Sequence, residues 1–351
     1  MSRQLDILAL EPFYGGARRA LLAAVMRCSR HRWTLLKLPP RRIERRLSAA
    51  ANWFAEQLRQ HFDGHVDVLF TSEAMNLATL LRLVPDLASR PSVVYFHDNH
   101  LPDLVARQDG PYDLIDLNTA LAATEIWFNS DYHYRVFLER VVALAARHPE
   151  LAAHDPIPKL VRKSHRTPPP MDLGFADEVR AATARVTNAD GFTIFVETRD
   201  ADMNLLNAGL DLLSDDGPKF RLMTVGPVER LSHRWPHHAI RETDLFAQMQ
   251  GMLESNLILS AKPAAKQDGL LVQGILAGCT PLAPNAGVYP ELLPAASHPA
   301  CLYTPAPQSL ADALRGQPSP PTLDWRRAFK DLEAIPACRL IDERLDQLAR
   351  Q

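Results

Sequence analysis

Four hydrogen-bonding side chains, His97-Asp98-Asn99-His100, follow directly on the apolar segment Val93–Phe96. An apolar run of that length reads as a buried strand, which places the four polar residues on the loop at its carboxyl end. Loops held by a rigid scaffold are where function concentrates. His97 there can donate a hydrogen bond to a sugar hydroxyl or support charge developing in an oxocarbenium-like transition state. Two further strand-like runs end in the same way, Trp127-Phe128 opening into Asn129-Ser130 and Phe70 into Thr71-Ser72-Glu73. Near the start, Glu11-Pro12-Phe13-Tyr14-Gly15-Gly16 joins a short apolar run to a helical pattern. Glycines at such a junction allow close backbone approach to a ligand, and a helix N-terminus offers free N–H groups to an anion. A tight strand-to-helix turn explains the same residues.

Charge adds a second signal. Residues 1–60 carry twelve Lys/Arg against four Asp/Glu, in a chain whose net charge is −2. The density peaks at Arg41, Arg42, Arg45 and Arg46, just after Pro39-Pro40, and suggests contact with a polyanion such as nucleic acid. Solvated helix faces account for such charges as well. The cysteines Cys28, Cys279, Cys301 and Cys338 are scattered and read as buried free thiols. His97 and His100 lack a third ligand at a recognisable spacing, so no metal site is expected. No G-x-G-x-x-G motif supports a nicotinamide dinucleotide. No apolar stretch approaches the roughly 18 to 20 residues that span a bilayer, and the first residues lack a signal-peptide pattern. A cytoplasmic protein is the expectation.

The elements that must position these residues alternate. In the first half, strands are predicted at Leu5–Leu10, Trp33–Leu38, Val66–Thr71, Val93–Phe96 and Glu125–Asn129. Helices fall between them at Ala17–Cys28, Ser48–His61, Asn76–Leu83 and Tyr132–Ala146. Pro156–Pro170, rich in proline and basic residues, lacks apolar periodicity and marks a junction. Strands resume at Phe192–Glu197, Arg221–Val225, Leu257–Ser260, Thr280–Ala283 and Ala300–Tyr303, with helices at Asn204–Leu213, Asp244–Glu254 and Leu270–Ala277. Asp324–Arg350 reads as an amphipathic helical region interrupted at Pro336. At 351 residues two domains are natural. We expect an N-terminal α/β domain over 1–165, a linker region over 166–191, a C-terminal α/β domain over 192–320 and a helical segment over 321–351. Each domain holds a parallel Rossmann-like sheet covered on both faces, with a ligand cleft between the two domains.

The segments EPFYGG, FTSEAMNLATL, VPDL, YFHDNHL and FNSDYHYRVFL, in that order and spacing, resemble the N-terminal half of the tRNA-queuosine mannosyltransferases. These belong to the retaining glycosyltransferase family 4, with the GT-B fold. Gly278–Leu282 and Val288–Leu292 resemble the same family's C-terminal half. The resemblance implies a hexosyltransferase with no bound cofactor that takes a nucleotide sugar, GDP-mannose in that family, as co-substrate. It also implies queuosine-bearing tRNA as acceptor, held mainly by the N-terminal half. By the same resemblance Gly15 and Gly16 lie toward the donor phosphate, and His97 touches the transferred sugar. Glu11, Asp98, Asn99, Asn129 and Ser130 line the acceptor side, while Arg199, Gln273, Tyr289 and Glu291 belong to donor binding. Arg41, Arg42, Arg45 and Arg46 are candidates to contact tRNA.

The chain departs from the family in its donor half. Relatives follow the arginine at Arg199 with a lysine five residues on, where this chain has Asn204. Two glutamates spaced by eight become Ala265 and Gln273, and the intervening glycine becomes Asp268. Lys262 and Lys266 stand close by as substitute cations. In the basic segment Ile43 and Arg45 replace aromatics. Two further functions therefore stand beside active transfer to queuosine in tRNA: a degenerate relative that binds tRNA or a partner without transfer, and a transferase for an unrelated small acceptor.

Overall fold

Apolar runs that alternate with amphipathic segments build two all-parallel sheets of six strands each. The computed structural model describes residues 3–101, 112–149, 151, 154–182, 192–213, 220–232, 235–316 and 322–350. The chain divides into one compact unit of residues 1–171 with 332–351, and a second of residues 172–331.

The first sheet holds β1 (Asp6–Glu11), β2 (Arg32–Lys37), β3 (Val68–Ser72), β4 (Ser92–Phe96), β5 (Glu125–Phe128) and β6 (Ser164–Arg166), ordered β2-β1-β3-β4-β5-β6. Because side chains alternate across a strand, Leu8, Leu10, Leu69, Val94, Phe96, Ile126 and Phe128 enter one core layer. Their neighbours Ile7, Ala9, Val68, Phe70, Val93, Tyr95 and Trp127 enter the other. Burial on both faces explains why these strands read as continuous apolar runs.

The second sheet holds β7 (Phe192–Glu197), β8 (Phe220–Val225), β9 (His237–Ile240), β10 (Leu257–Leu259), β11 (Thr280–Pro284) and β12 (Leu302–Tyr303), ordered β12-β11-β10-β7-β8-β9. The helix Gly269–Ala277 lies so close to it that a Cβ on Gly274 would meet Ile258 at 2.3 Å. In each sheet the direction of strand addition reverses once, between β1 and β3 and between β7 and β10. Such switch points open a crevice at the carboxyl ends of the strands, where ligands bind in open α/β sheets.

Three segments differ from the sequence reading. Pro156–Pro170 is not an extended junction: Pro156–Lys163 is helical, with prolines in its first turn where no intrahelical N–H is needed, and Ser164–Arg166 adds β6. Lys163 Nζ donates to the carbonyls of Leu121 and Ala123, both at 2.7 Å, which ties this helix end to the end of the helix Asp113–Ala122. In the region expected as a linker, Phe175–Ala182 is a helix, and 183–191 lies outside the described residues. Pro336 interrupts nothing, because it sits in the first turn of the helix Ala334–Leu348.

That last helix completes the first unit. Its Cys338, Ile341, Leu345 and Leu348 cover one face of the first sheet. Asp342, buried, accepts from Arg30 N at 2.9 Å and from Ser29 Oγ. Arg344 grips Glu125 through Nε at 2.8 Å and Nη2 at 2.9 Å, a two-point contact that fixes direction as well as charge. Leu345→Ala removes a fully buried side chain and should cost about 2–5 kcal/mol. Urea unfolding should show that loss in the first unit and leave the second unit's transition in place.

Candidate functional site

The polar residues at the β1/β3 switch point are drawn into one cluster. Glu11 ends β1 and is buried, and its Oε1 accepts from Phe13 N at 2.7 Å and Ser72 Oγ at 3.0 Å. Glu73 follows β3 and is wholly buried. It forms an ion pair with Arg18, from the first turn of the helix Gly16–Cys28. Glu73 also reaches the next loop, accepting from His97 N at 3.2 Å and Asp98 N at 3.1 Å.

Burial pushes the Glu11 carboxyl up to about 7 against the pull of Arg18. Burial likewise raises Glu73, again opposed by Arg18. For His97, burial and then the charge of Arg18 hold the imidazole well below its ordinary value, so the ring is neutral at physiological pH. The ring packs on Tyr95 with centroids 4.6 Å apart, and its Nδ1 has no hydrogen-bond partner among the described residues. Asn129 Nδ2 donates to the His97 carbonyl at 3.0 Å. Ser130 caps the helix Asp131–Arg147, accepting from His133 N at 3.1 Å. Asn99 Oδ1 accepts from Arg140 at 3.1 Å, and Asp98 is exposed. His100 leans on the buried Asp116, with Nδ1 3.3 Å from its carboxylate. Burial opposes the charge on His100, but Asp116 outweighs it and raises the pKa.

The glycine turn has two distinct causes. A Cβ on Gly15 would meet Pro40 at 2.7 Å, and Gly16 has φ +51°, in the left-handed region. Through Pro40 the basic segment rests against this turn. Arg41, Arg42 and Arg45 are exposed, whereas Arg46 is half-buried and donates to the Pro39 carbonyl at 3.2 Å. Arg42 occupies the left-handed region and precedes the helix Ile43–His61.

At the β7/β10 switch point the charges are paired within the unit. Arg199 is exposed and pairs with Glu242, and Asn204 is exposed in the first turn of the helix Met203–Asp211. Lys262 pairs with Glu197 in a largely buried contact. Burial works against the Lys262 charge, but Asp268 and Glu197 outweigh it and raise its pKa. Asp268 caps the helix Gly269–Ala277, accepting from Leu271 N at 3.0 Å, and also accepts from Tyr289 OH at 2.9 Å and Ser260 Oγ at 3.2 Å. Tyr289 is thus buried with its hydroxyl engaged, while Gln273, Glu291 and Ala265 are partly exposed. The two pairs differ in cost. An exposed pair such as Arg199–Glu242 is worth about 0–1 kcal/mol and exchanges readily. Breaking a buried pair such as Lys262–Glu197 costs about 3–5 kcal/mol. Arg199 is therefore the cation that an incoming anion can recruit at least cost.

Residues 6–171 match the family described as tRNA-queuosine alpha-mannosyltransferase N-terminal, a stretch that holds both glutamates and the His97 loop. The match is confined to the N-terminal unit, which is similar to that family. A Drosophila melanogaster tRNA-queuosine alpha-mannosyltransferase is 26% identical over 313 residues, covering 82% of this chain and 81% of the relative. Among solved structures, Anabaena Alr3699/HepE in complex with UDP and glucose superposes with a TM-score of 0.65 at 15% identity, covering 98% of this chain and all of the other. The sucrose-phosphate synthase of Thermosynechococcus elongatus gives 0.66 at 13% identity, covering 99% of each chain. These likenesses show the fold, GT-B, with its two Rossmann-like parallel sheets.

The structure gathers Glu11, His97, Asn99, Asn129 and Ser130 with Gly15 and Gly16 at the first switch point. Arg18 escapes the sequence reading, and Glu73 enters it only through the polar ending of β3, not as the buried partner of an arginine. Their only signals are a polar ending to β3 and an arginine one turn into a helix. No group of three or more His, Cys, Asp or Glu among the described residues is arranged to hold a metal ion. No described helix is long and apolar enough to cross a membrane.

The raised Glu11 carboxyl makes stability pH-dependent. Below its ordinary value of 4.5 both folded and unfolded chains hold the proton. Between 4.5 and about 7 only the folded chain does, so its stability falls as pH rises. Across that window the loss is about 3 kcal/mol. Glu11→Gln keeps an Oε1 acceptor for Phe13 N and Ser72 Oγ without the charge. Urea unfolding of Glu11→Gln at pH 5 and pH 8 should therefore show a smaller loss than in wild type.

Proposed function

We propose that this protein transfers a sugar from a nucleotide-sugar donor to queuosine in tRNA. One observation carries the reading. The loops that converge at the β1/β3 switch point lie within the residues matched to the tRNA-queuosine alpha-mannosyltransferase N-terminal family. The curated Drosophila relative bears the activity in its name, and HepE was crystallised with UDP and glucose. The donor is taken as GDP-mannose on the family resemblance, and the reaction is placed in the cytoplasm with no resident cofactor.

Within this reading, His97 is suited to hydrogen-bonding a hydroxyl of the transferred sugar, because a neutral imidazole adds no charge that would oppose a developing oxocarbenium ion. Arg199 is the group best placed to meet the leaving diphosphate, since its exposed pair with Glu242 yields at little cost. Arg41, Arg42 and Arg45 lie on an exposed segment suited to the acceptor's phosphates. A second reading, tRNA binding without transfer, is favoured by the second unit. There Lys262 is committed to Glu197, and Asp268 occupies the N-terminus of the helix Gly269–Ala277.

Radiolabelled GDP-mannose, offered with tRNA from queuosine-containing and queuosine-deficient cells, separates the two. Label is expected only in the former. His97→Ala should reduce transfer at least about 100-fold while tRNA affinity stays within about twofold. Absence of incorporation from every common nucleotide sugar would overturn the transfer reading and leave binding. Replacing Arg41, Arg42, Arg45 and Arg46 together by alanine should weaken tRNA binding. It should also flatten the salt dependence by about 0.7–0.9 in log–log slope for each phosphate no longer neutralised, as measured by filter binding from 50 to 200 mM salt.

A further inference from the structure

Among the described residues His97 Nδ1 has no hydrogen-bond partner, so beyond its packing on Tyr95 the ring's placement depends on what holds the backbone that carries it. The peptide that follows His97 is held at both ends, its carbonyl by Asn129 and its Asp98 amide by Glu73, and the His97 amide before it reaches the other Glu73 oxygen. Glu73 has no exposed surface, and its charge is balanced by Arg18, whose side chain is itself only 14% exposed. Burying a full ion pair adds no net stability on average and is costly when one partner is removed. Its distinctive product here is geometric. A carboxylate that accepts two successive amides fixes the plane of that turn through charge-assisted hydrogen bonds. Arg18 extends the constraint to the glycine turn, since it lies on the helix that Gly16 begins and also stacks over Phe13 at 5.6 Å.

We propose that Glu73, held by Arg18, is the positioning residue that sets the His97 loop, joining the turns after β1, β3 and β4 into one rigid unit. The proposal deepens the transfer reading, because it rests on His97 meeting the sugar. The groups facing Glu73 are Arg18 on the helix after the glycine turn, Glu11 on β1, Tyr95 on β4, Asp98 and His100 on the loop, and Asp116 on the helix Asp113–Ala122. Protonating Glu73 removes the charge that both amides and Arg18 share. Burial raises this carboxyl, which brings that loss toward neutral pH.

The test uses the full chain and the variants Glu73→Gln and Glu73→Asp. Glu73→Gln presents an NH2 to one of the two amides. It should lower kcat by about 10- to 100-fold with KM for donor and tRNA within about threefold, and the acid limb of its pH–rate profile should flatten. Glu73→Asp keeps the charge on a shorter stem and should recover part of the kcat. It also decides the matter if Glu73→Gln does not fold. Imidazole resonances of His97, recorded without substrate, should shift in each variant. Wild-type kcat together with unmoved His97 resonances would overturn the proposal. If the wild-type protein transfers no sugar, the functional reading fails, and the His97 resonances alone still decide whether Glu73 sets the loop.

Discussion

Covering both faces of a parallel sheet leaves no place along its strands for an unsatisfied polar side chain. Polar chemistry is confined to the strand ends, and within those to the points where neighbouring connections part. In the first unit this confinement acts strongly, because β1, β3 and β4 are adjacent and each ends in hydrogen-bonding residues. Those residues have little water to turn to, so they satisfy one another. Glu11 takes the Phe13 amide, Glu73 takes two amides from the neighbouring loop, and Asn129 takes up a carbonyl. The cluster is thus a consequence of the sheet as much as a device added to it.

The two switch points resolve the same constraint in different ways. The first buries carboxylates around one arginine and holds a neutral histidine beside them. The second buries its lysine against glutamate and leaves Arg199 facing solvent. Asp268 is central to that second solution, since it serves a helix N-terminus, a serine and a tyrosine at once. A substitution there would disturb three partners together, the Tyr289 hydroxyl among them.

Much of this was legible in sequence, and what was not has a physical reason. The central strands and the loops that follow them stood out because continuous apolar runs end abruptly in polar residues. The edge strands β6 (Ser-His-Arg) and β9 (His-His-Ala-Ile) carry no such run, since each pairs on one side only. Arg18 looks like any solvated charge until folding brings it into contact with Glu73, 55 positions further along the chain. The amphipathic pattern of Ala334–Leu348 announced a helix but not its destination, because its partners Ser29, Arg30 and Glu125 lie far back in the chain. Asp342 and Arg344 showed no local sign of their roles.

The first unit is discontinuous in sequence, and this orders its assembly during synthesis. Strands β1 to β6 emerge from the ribosome early, yet the face formed by Ile7, Phe70, Tyr95 and Trp127 has no complete cover until the helix Ala334–Leu348 follows. The second unit is continuous from Asp172 to Asp331 and can close first. At translation speeds of about 5–20 residues per second, the early half waits on the order of ten seconds or more with an apolar surface open. Such an interval suits capture by a chaperone, and it makes the nascent first half, rather than the finished enzyme, the form of this chain most exposed to aggregation.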